Sequence, residues 1–158
     1  MKKLSHLDKE GKAKMVDITA KPLTNREAVA RGSVYMKPGT IKLIVDKKIP
    51  KGDVFSVARI AGIMAAKKTS ELIPMCHPLD ITAIDIQFNL NPKKRKIDIE
   101  SRVSIVGRTG VEMEALTAVS IAALAIYDMC KAVDKEMVIS EIMLMEKRGG
   151  KSGSFKKK

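Results

Sequence analysis

Apolar and polar positions along the chain fall into blocks of period two or of helical spacing, and the order of those blocks limits the fold. "REAVARGSVYM", from Arg26, sets Ala28, Ala30, Gly32 and Val34 on one side and Glu27, Arg31 and Ser33 largely on the other, which predicts a strand. Residues 38 to 46 read as a short helix opened by Pro38, followed by the loop "KKIPKGD". Asp53 is placed to cap a long helix in which Val54, Val57, Ala58, Ala61, Met64 and Ala65 recur at helical spacing, while Arg59, Lys67 and Lys68 fall off the stripe. That helix stops by Pro74. "TAIDIQFNLN" alternates, with Ile84, Ile86, Phe88 and Leu90 inward, and Lys96 to Val106 repeats the pattern through Ile97, Ile99, Val103 and Ile105. Joined by the basic turn Pro92 to Arg95, these two make a hairpin with one buried face. Glu112 to Val133 is a second long helix, apolar on nearly every side at its middle. It should therefore be covered by more than one sheet face, with a neighbouring subunit supplying the cover. "MVISEIMLME" supplies a last strand, and Met15 to Thr19 reads as a short one near the start. The order β, α, β, β, α, β is that of a ferredoxin-like split βαβ unit: an α+β fold whose antiparallel sheet carries helices on one face, with an extra N-terminal portion.

The 158 residues suit a single domain, 1–158, with a charged, Gly-interrupted mobile arm over 1–12 and a flexible Gly- and Lys-rich tail over 149–158. The start has no apolar signal region, and the longest nearly apolar run, Ala115 to Tyr127, spans thirteen residues, short of the ~20 a membrane helix needs. Cys76 and Cys130 lack framework spacing, which suits a reducing, cytoplasmic location. Thirty Lys and Arg against eighteen Asp and Glu give a net charge of +12 and an affinity for anions: nucleic acid, acidic lipid or a phosphorylated small molecule. Three Phe, two Tyr and no Trp argue against a single-strand platform that stacks bases.

The candidate chemistry starts with "PMCHP". Cys76 beside His77 could be a metal pair, a nucleophile with its base, or a stiff loop. Zinc needs three or four ligands, so no metal site is expected, and neighbours in an extended chain face opposite ways, which disfavours a nucleophile pair. A packed turn and a rigid ligand-contact loop remain. Asp128 and Lys131, three apart on one helix face, make either a surface ion pair or an acid-base pair at the end of a buried helix. Glu112 and Glu114 suit the start of that helix by its dipole. Glu114 precedes Asp128 by fourteen residues, a separation of ~21 Å along the axis. One compact site can hold both only by combining two subunits or taking a long ligand. "GGKSG" is no phosphate-binding P-loop, because Met145 stands where the first Gly would be. Lys147, Arg148 and Lys151 could still fold over phosphates.

Together, "ARIAGIMAAKKTSELIPMCHPL", "GRTGVEMEALTAVSIAALAIYDMCKAVDK" and "EKRGGKSG" closely resemble the molybdenum cofactor biosynthesis protein C family, over about Met15 to Gly153. The resemblance implies a homohexamer, a trimer of dimers, with active sites at the subunit interface. It also implies a reaction, in which the 3',8-cyclised dihydro-GTP made by an upstream radical enzyme becomes cyclic pyranopterin monophosphate with release of pyrophosphate. Asp128 matches the catalytic aspartate and Lys131 the lysine beside it. Met75, Cys76 and His77 match one substrate-contact segment, and Met113 and Glu114, with Glu112 beside them, another. Lys51, Lys67, Lys147 and Arg26 match polar pocket positions. Lys51 is counted with the catalytic residues and, with Lys147, His77 and Arg26, is expected to neutralise the triphosphate. No cofactor is expected beyond magnesium accompanying the triphosphate, and neither nucleic acid nor membrane is an expected partner. Two rival readings compete: a basic nucleic-acid-binding module using "NPKKRK" and the Lys tail, and a non-catalytic pathway scaffold.

Overall fold

One antiparallel sheet runs in the order β2-β3-β1-β4-β5, and its middle strand is the Arg26 segment, β1 (Thr24–Tyr35). The computed structural model describes residues 10–151 and 153–158, so most of the expected N-terminal arm lies outside the described residues. β2 (Ala83–Asn91) and β3 (Lys96–Gly107) form the expected hairpin, with Ile84 opposite Val103, Phe88 opposite Ile99 and Leu90 opposite Ile97. At its turn the Asn91 side chain accepts from the Lys94 amide at 3.0 Å, and Arg95 adopts a positive φ of 54°. β4 (Val138–Arg148) lies along the other side of β1, with register shifts opposite Val29/Ala30 and Arg31/Ser33. Beyond it, Phe155–Lys156 pairs with Lys147 and Glu146 as β5, so the chain end adds a strand to the four of the split βαβ unit.

The helices cover one face of the sheet. α1 (Pro38–Val45) opens on Pro38 as predicted, and α2 (Val54–Lys67) starts where the Asp53 side chain accepts from the Ser56 amide at 3.0 Å. A single turn, α3 (Thr69–Leu72), leads into the "PMCHP" loop. The buried side of α2 keeps Val54, Ala58 and Ala65 of the predicted stripe and departs from it at Val57 and Met64. Val57, Met64 and Ile60 are exposed, whereas Val54, Ala58, Gly62, Ala65 and Ala66 are buried. The reason is proximity: a Cβ on Gly62 would stand 2.5 Å from Ile86 Cδ1 and 2.8 Å from the Ala118 carbonyl oxygen. Only the small-residue side of α2 fits so close a seam.

α4 (Glu112–Cys130) is the core helix, burying Ala115, Ala118, Val119, Ala122, Ala123 and Ile126 between the sheet and α2. Within the chain its second cover is α2. By length and composition α4 alone among the described helices could cross a membrane, but half of its most apolar stretch is buried, as in a core helix. One stripe stays open: Met113 and Leu124 are exposed and Thr117 and Ile121 half-buried, at successive turns of a face that ends at exposed Asp128. Ser101, fully buried on β3, donates to the Ala115 carbonyl at 2.7 Å and so ties α4 to the sheet without an orphaned hydroxyl.

One sequence expectation changes near the start of the chain. Met15–Thr19 is not a strand; Ala13 makes an isolated bridge and the segment then runs irregularly over the sheet's end, where Val16 and Ile18 line a cleft. The exit of α4 is held by Asp134, whose buried carboxylate accepts from the Lys37 amide (2.9 Å), Thr40 Oγ1 (3.0 Å) and the Glu136 amide (3.1 Å). Burial pushes its carboxyl up, yet these donors outweigh burial and leave it below the ordinary carboxylate value. The same carboxylate joins the start of α1 to the end of α4.

Candidate active site

Two sets of polar side chains stand at opposite ends of α4. At its C-terminal end the Asp128 carboxylate bridges two ammonium groups: Oδ1 lies 2.8 Å from Lys131 Nζ and Oδ2 2.7 Å from Lys51 Nζ. Lys51 also donates to the Asp128 carbonyl at 3.0 Å. The i, i+3 spacing on α4 brings Lys131 to Asp128, while the turn after α1 delivers Lys51. The hydrogen bond from Lys131, then that from Lys51, holds the Asp128 carboxyl down at about 2, and Asp128 in turn pushes the Lys131 ammonium up. At neutral pH the trio holds an ionised Asp128 between Lys51 and Lys131, whose ammonium it stabilises. It can donate protons from either lysine, and the carboxylate gains base strength only when an incoming anion draws a lysine away. Lys51, expected both among the catalytic residues and among the cations for the triphosphate, stands in the fold beside Asp128.

At the N-terminal end two adjoining clefts share Lys21, Thr109, Gly110 and Glu112. The larger, about 580 Å³, is cationic: Lys21, Arg26, Arg108, Lys147, Arg148 and Lys151 line it. Arg26 is fixed by donating from Nε to the Gly107 carbonyl and from Nη2 to the Arg108 carbonyl, both at 3.1 Å. Over it passes the turn Gly149–Gly150, with φ of 91° and 78°. A Cβ on Gly150 would meet the Arg26 guanidinium and one on Gly149 the Asn25 carbonyl oxygen, so both absent side chains let the turn lie against β1. Thr24 Oγ1, also on this cleft, is buried without a hydrogen-bond partner, an orphan suited to a ligand oxygen. The Lys147 ammonium lies 3.4 Å from the Glu112 carboxylate.

The second cleft, about 470 Å³, is lined by Met75, Cys76 and His77 from the loop after α3 and by Met113 and Glu114 from α4. A backbone bond from the Cys76 amide to the Ile73 carbonyl (3.0 Å) turns the "PMCHP" loop toward α4. Burial first, then the Glu114 charge, pushes the Cys76 thiol up, so it stays protonated and is a poor nucleophile. Glu114 is only 3% exposed, and burial raises its carboxyl above the ordinary value. A raised acid value means that ionising Glu114 opposes folding: the neutral form is fully tolerated at low pH, and stability is lost as pH rises through the folded value. Glu114→Gln is therefore expected to raise the melting temperature by a few degrees at pH 7.5 and to lose that advantage near pH 4, while activity falls. Melting curves at the two pH values check this; a Gln variant destabilised at both would refute it.

Lys67 ends α2 and lines neither cleft. Lys21, Arg108 and Thr109 escaped the sequence reading. "GRTG", an arginine and a threonine between glycines just before a helix, was the available signal for the last two. Among the described residues, no three His, Cys, Asp or Glu side chains converge as a metal set.

Comparison with known proteins covers both sets. The family model described as MoaC family matches residues 15–150. A cyclic pyranopterin monophosphate synthase of Pelotomaculum thermopropionicum is 62% identical over 158 residues, 100% of this chain and 93% of that protein. Proteins of the same name from Thermoanaerobacter pseudethanolicus (61% over 154 residues, 98% of each chain) and Heliobacterium modesticaldum (59% over 155 residues, 98% of each chain) are similar throughout. With the matched region running from the irregular segment before β1 to the Gly149–Gly150 turn after β4, the chain belongs to the MoaC family.

Proposed function

We propose that this chain is a cyclic pyranopterin monophosphate synthase, a lyase that converts 3',8-cyclised dihydro-GTP to cyclic pyranopterin monophosphate and pyrophosphate in molybdenum cofactor biosynthesis. The observation that carries the reading is the full-length likeness to proteins of that name. The geometry supports it in chemical terms. A triphosphate suits the cationic cleft, where Arg26 is pre-oriented by two backbone carbonyls and Lys147, Arg108 and Lys151 stand around it. A base suits the adjoining cleft, where Glu114 and His77 offer polar atoms between Met75 and Met113.

The Asp128 trio supports proton movement as the imidazole of the guanine opens and the pterin ring closes. In the last step a substrate hydroxyl attacks the nearest phosphorus. A new O–P bond forms, the bond from that phosphorus to its bridging oxygen breaks, and pyrophosphate departs with the electron pair. The hydroxyl proton passes to the Asp128 carboxylate once the bound anion has drawn a lysine away from it, and positioning with charge stabilisation carries the step. No group held by the protein is required in this scheme, and magnesium enters, if at all, with the triphosphate.

Neither set is a complete site by itself. The fourteen residues from Glu114 to Asp128 correspond to ~21 Å along α4, with the open stripe of Met113, Ile121 and Leu124 between. A two-fold pairing of that face with a second copy would bring one chain's Asp128 towards the partner's Glu114 end, and three such dimers would give the hexamer. A cytoplasmic location fits the two free cysteines. Incubating the purified protein with the upstream radical enzyme and GTP tests the activity. Pterin product and pyrophosphate in step with the amount of this chain support it; accumulation of the cyclised nucleotide with neither product refutes it.

A further inference from the structure

Glu112 is placed unlike the other acidic groups near the clefts. It lines both of them, its carboxylate folds back over Gly110 so closely that any side chain there would collide with it, and it sits 3.4 Å from the Lys147 ammonium. Both partners are mostly covered, at 24% and 29% side-chain exposure, so the pair occupies the cationic cleft rather than its rim. A carboxylate among Arg26, Arg108, Lys147 and Lys151 is what a phosphate would have to displace.

We propose that Glu112 is the built-in counter-ion of this cleft: it holds Lys147 while no phosphate is bound, yields to a polyphosphate, and competes to regain the lysine so that pyrophosphate leaves. This rests on the reading of the cleft as the triphosphate site. Electrostatics gives the sign. A fixed negative charge beside a polyanion weakens its binding, and a Lys147 already paired must break that pair before it contacts phosphate. The glycine at 110 gives the carboxylate room to lie back, and its position in the first turn of α4 keeps it within reach of the lysine on β4.

Pyrophosphate binding by the full-length protein, measured by titration calorimetry in the presence of EDTA so that no metal links the two anions, tests this. Glu112→Gln is expected to bind pyrophosphate about three- to tenfold more tightly than the parent, with the gain shrinking as salt is raised. Glu112→Asp, which keeps the charge but draws it back from Lys147, should fall between them and provides a second variant should Gln disturb the helix start. Lys147→Met should weaken binding, and adding Glu112→Gln to it should recover little. Unchanged or weaker binding in Glu112→Gln, with Lys147→Met still weakened, overturns the counter-ion and leaves the anion cleft standing. An equal gain from Glu112→Gln with and without Lys147 also overturns it, because repulsion alone would then suffice. Indifference of pyrophosphate binding to Lys147→Met overturns the triphosphate reading itself, and the counter-ion with it.

Discussion

Replacing Asp128 by Asn should leave the fold and melting temperature near those of the parent and lower turnover by roughly 10²–10⁴-fold, the span removed with a positioned acid-base group. The side chain is 55% exposed and its polar partners among the described residues are two partly exposed lysines, so its replacement by Asn leaves no buried group among them unsatisfied. What changes is the pair of ammonium groups. Lys131 loses the hydrogen bond that pushes it up, and Lys51 loses the carboxylate that places it. Since its lysines hold Asp128 at about 2, against an ordinary 3.8, the carboxylate is ionised throughout the working range. Its small contribution to stability is therefore present above about pH 4 and lost only as pH falls toward 2. A decline in the parent's activity between pH 7 and 5 must then come from another group, and Asp128→Asn should lower the plateau without moving that limb. Steady-state rates across pH, beside melting curves, check both parts. An Asn variant with near-parental turnover would remove Asp128 from the chemistry.

Gly149→Ala is the second large effect. At φ 91° an L side chain is strained, and the added methyl would meet the Asn25 carbonyl oxygen, which is backbone and cannot step aside. The strain is worth about 1–3 kcal/mol. The turn has an easier escape than unfolding, because β5 beyond it is two residues long. It should lift off β1, carrying Lys151 from the cleft and uncovering Arg26. If the cleft takes the triphosphate as proposed, the expected result is a KM raised by about ten- to a hundredfold with a smaller change in kcat, because the turn then serves ground-state anion binding. Gly153→Ala is the control: it also has positive φ, 70°, but a Cβ there meets nothing, so it carries strain without the collision and should perturb KM far less. Equal effects from the two substitutions would mean that strain alone, and not contact with β1, matters.

The fold was legible where one physical signal dominated. Alternation marked β1, β2 and β3, Pro38 and Asp53 marked two helix starts, and the apolar middle of α4 marked the core helix. The errors fall where two packing solutions compete. The composition of α2 offers a stripe in which Val57 and Met64 accompany Val54, Ala58 and Ala65, and another in which Gly62 and Ala66 accompany them, and hydrophobicity favours the first. The close approach to α4 selects the second, and nothing local to α2 reports that approach. The site was legible as residue types and only partly as an arrangement. Helical spacing joined Asp128 to Lys131, but Lys51 reaches them from 77 residues away through the turn after α1. Lys21 reaches the cationic cleft from an irregular segment whose path follows no periodicity.

The exposed stripe on α4 and the two polar sets at its ends lead to one claim above the rest, that a working site takes Asp128 from one chain and the Glu114 end from another. Unfolding Glu114→Gln and Asp128→Asn variants together and refolding them in equal amounts tests it most directly. In a mixed dimer one site carries both changes and the other carries neither, and half of randomly paired dimers are mixed. The mixture should thus recover roughly a quarter of the parental activity although each variant alone is nearly inactive. Activity no higher than the mean of the two variants would contradict a shared site and confine the chemistry to a single chain.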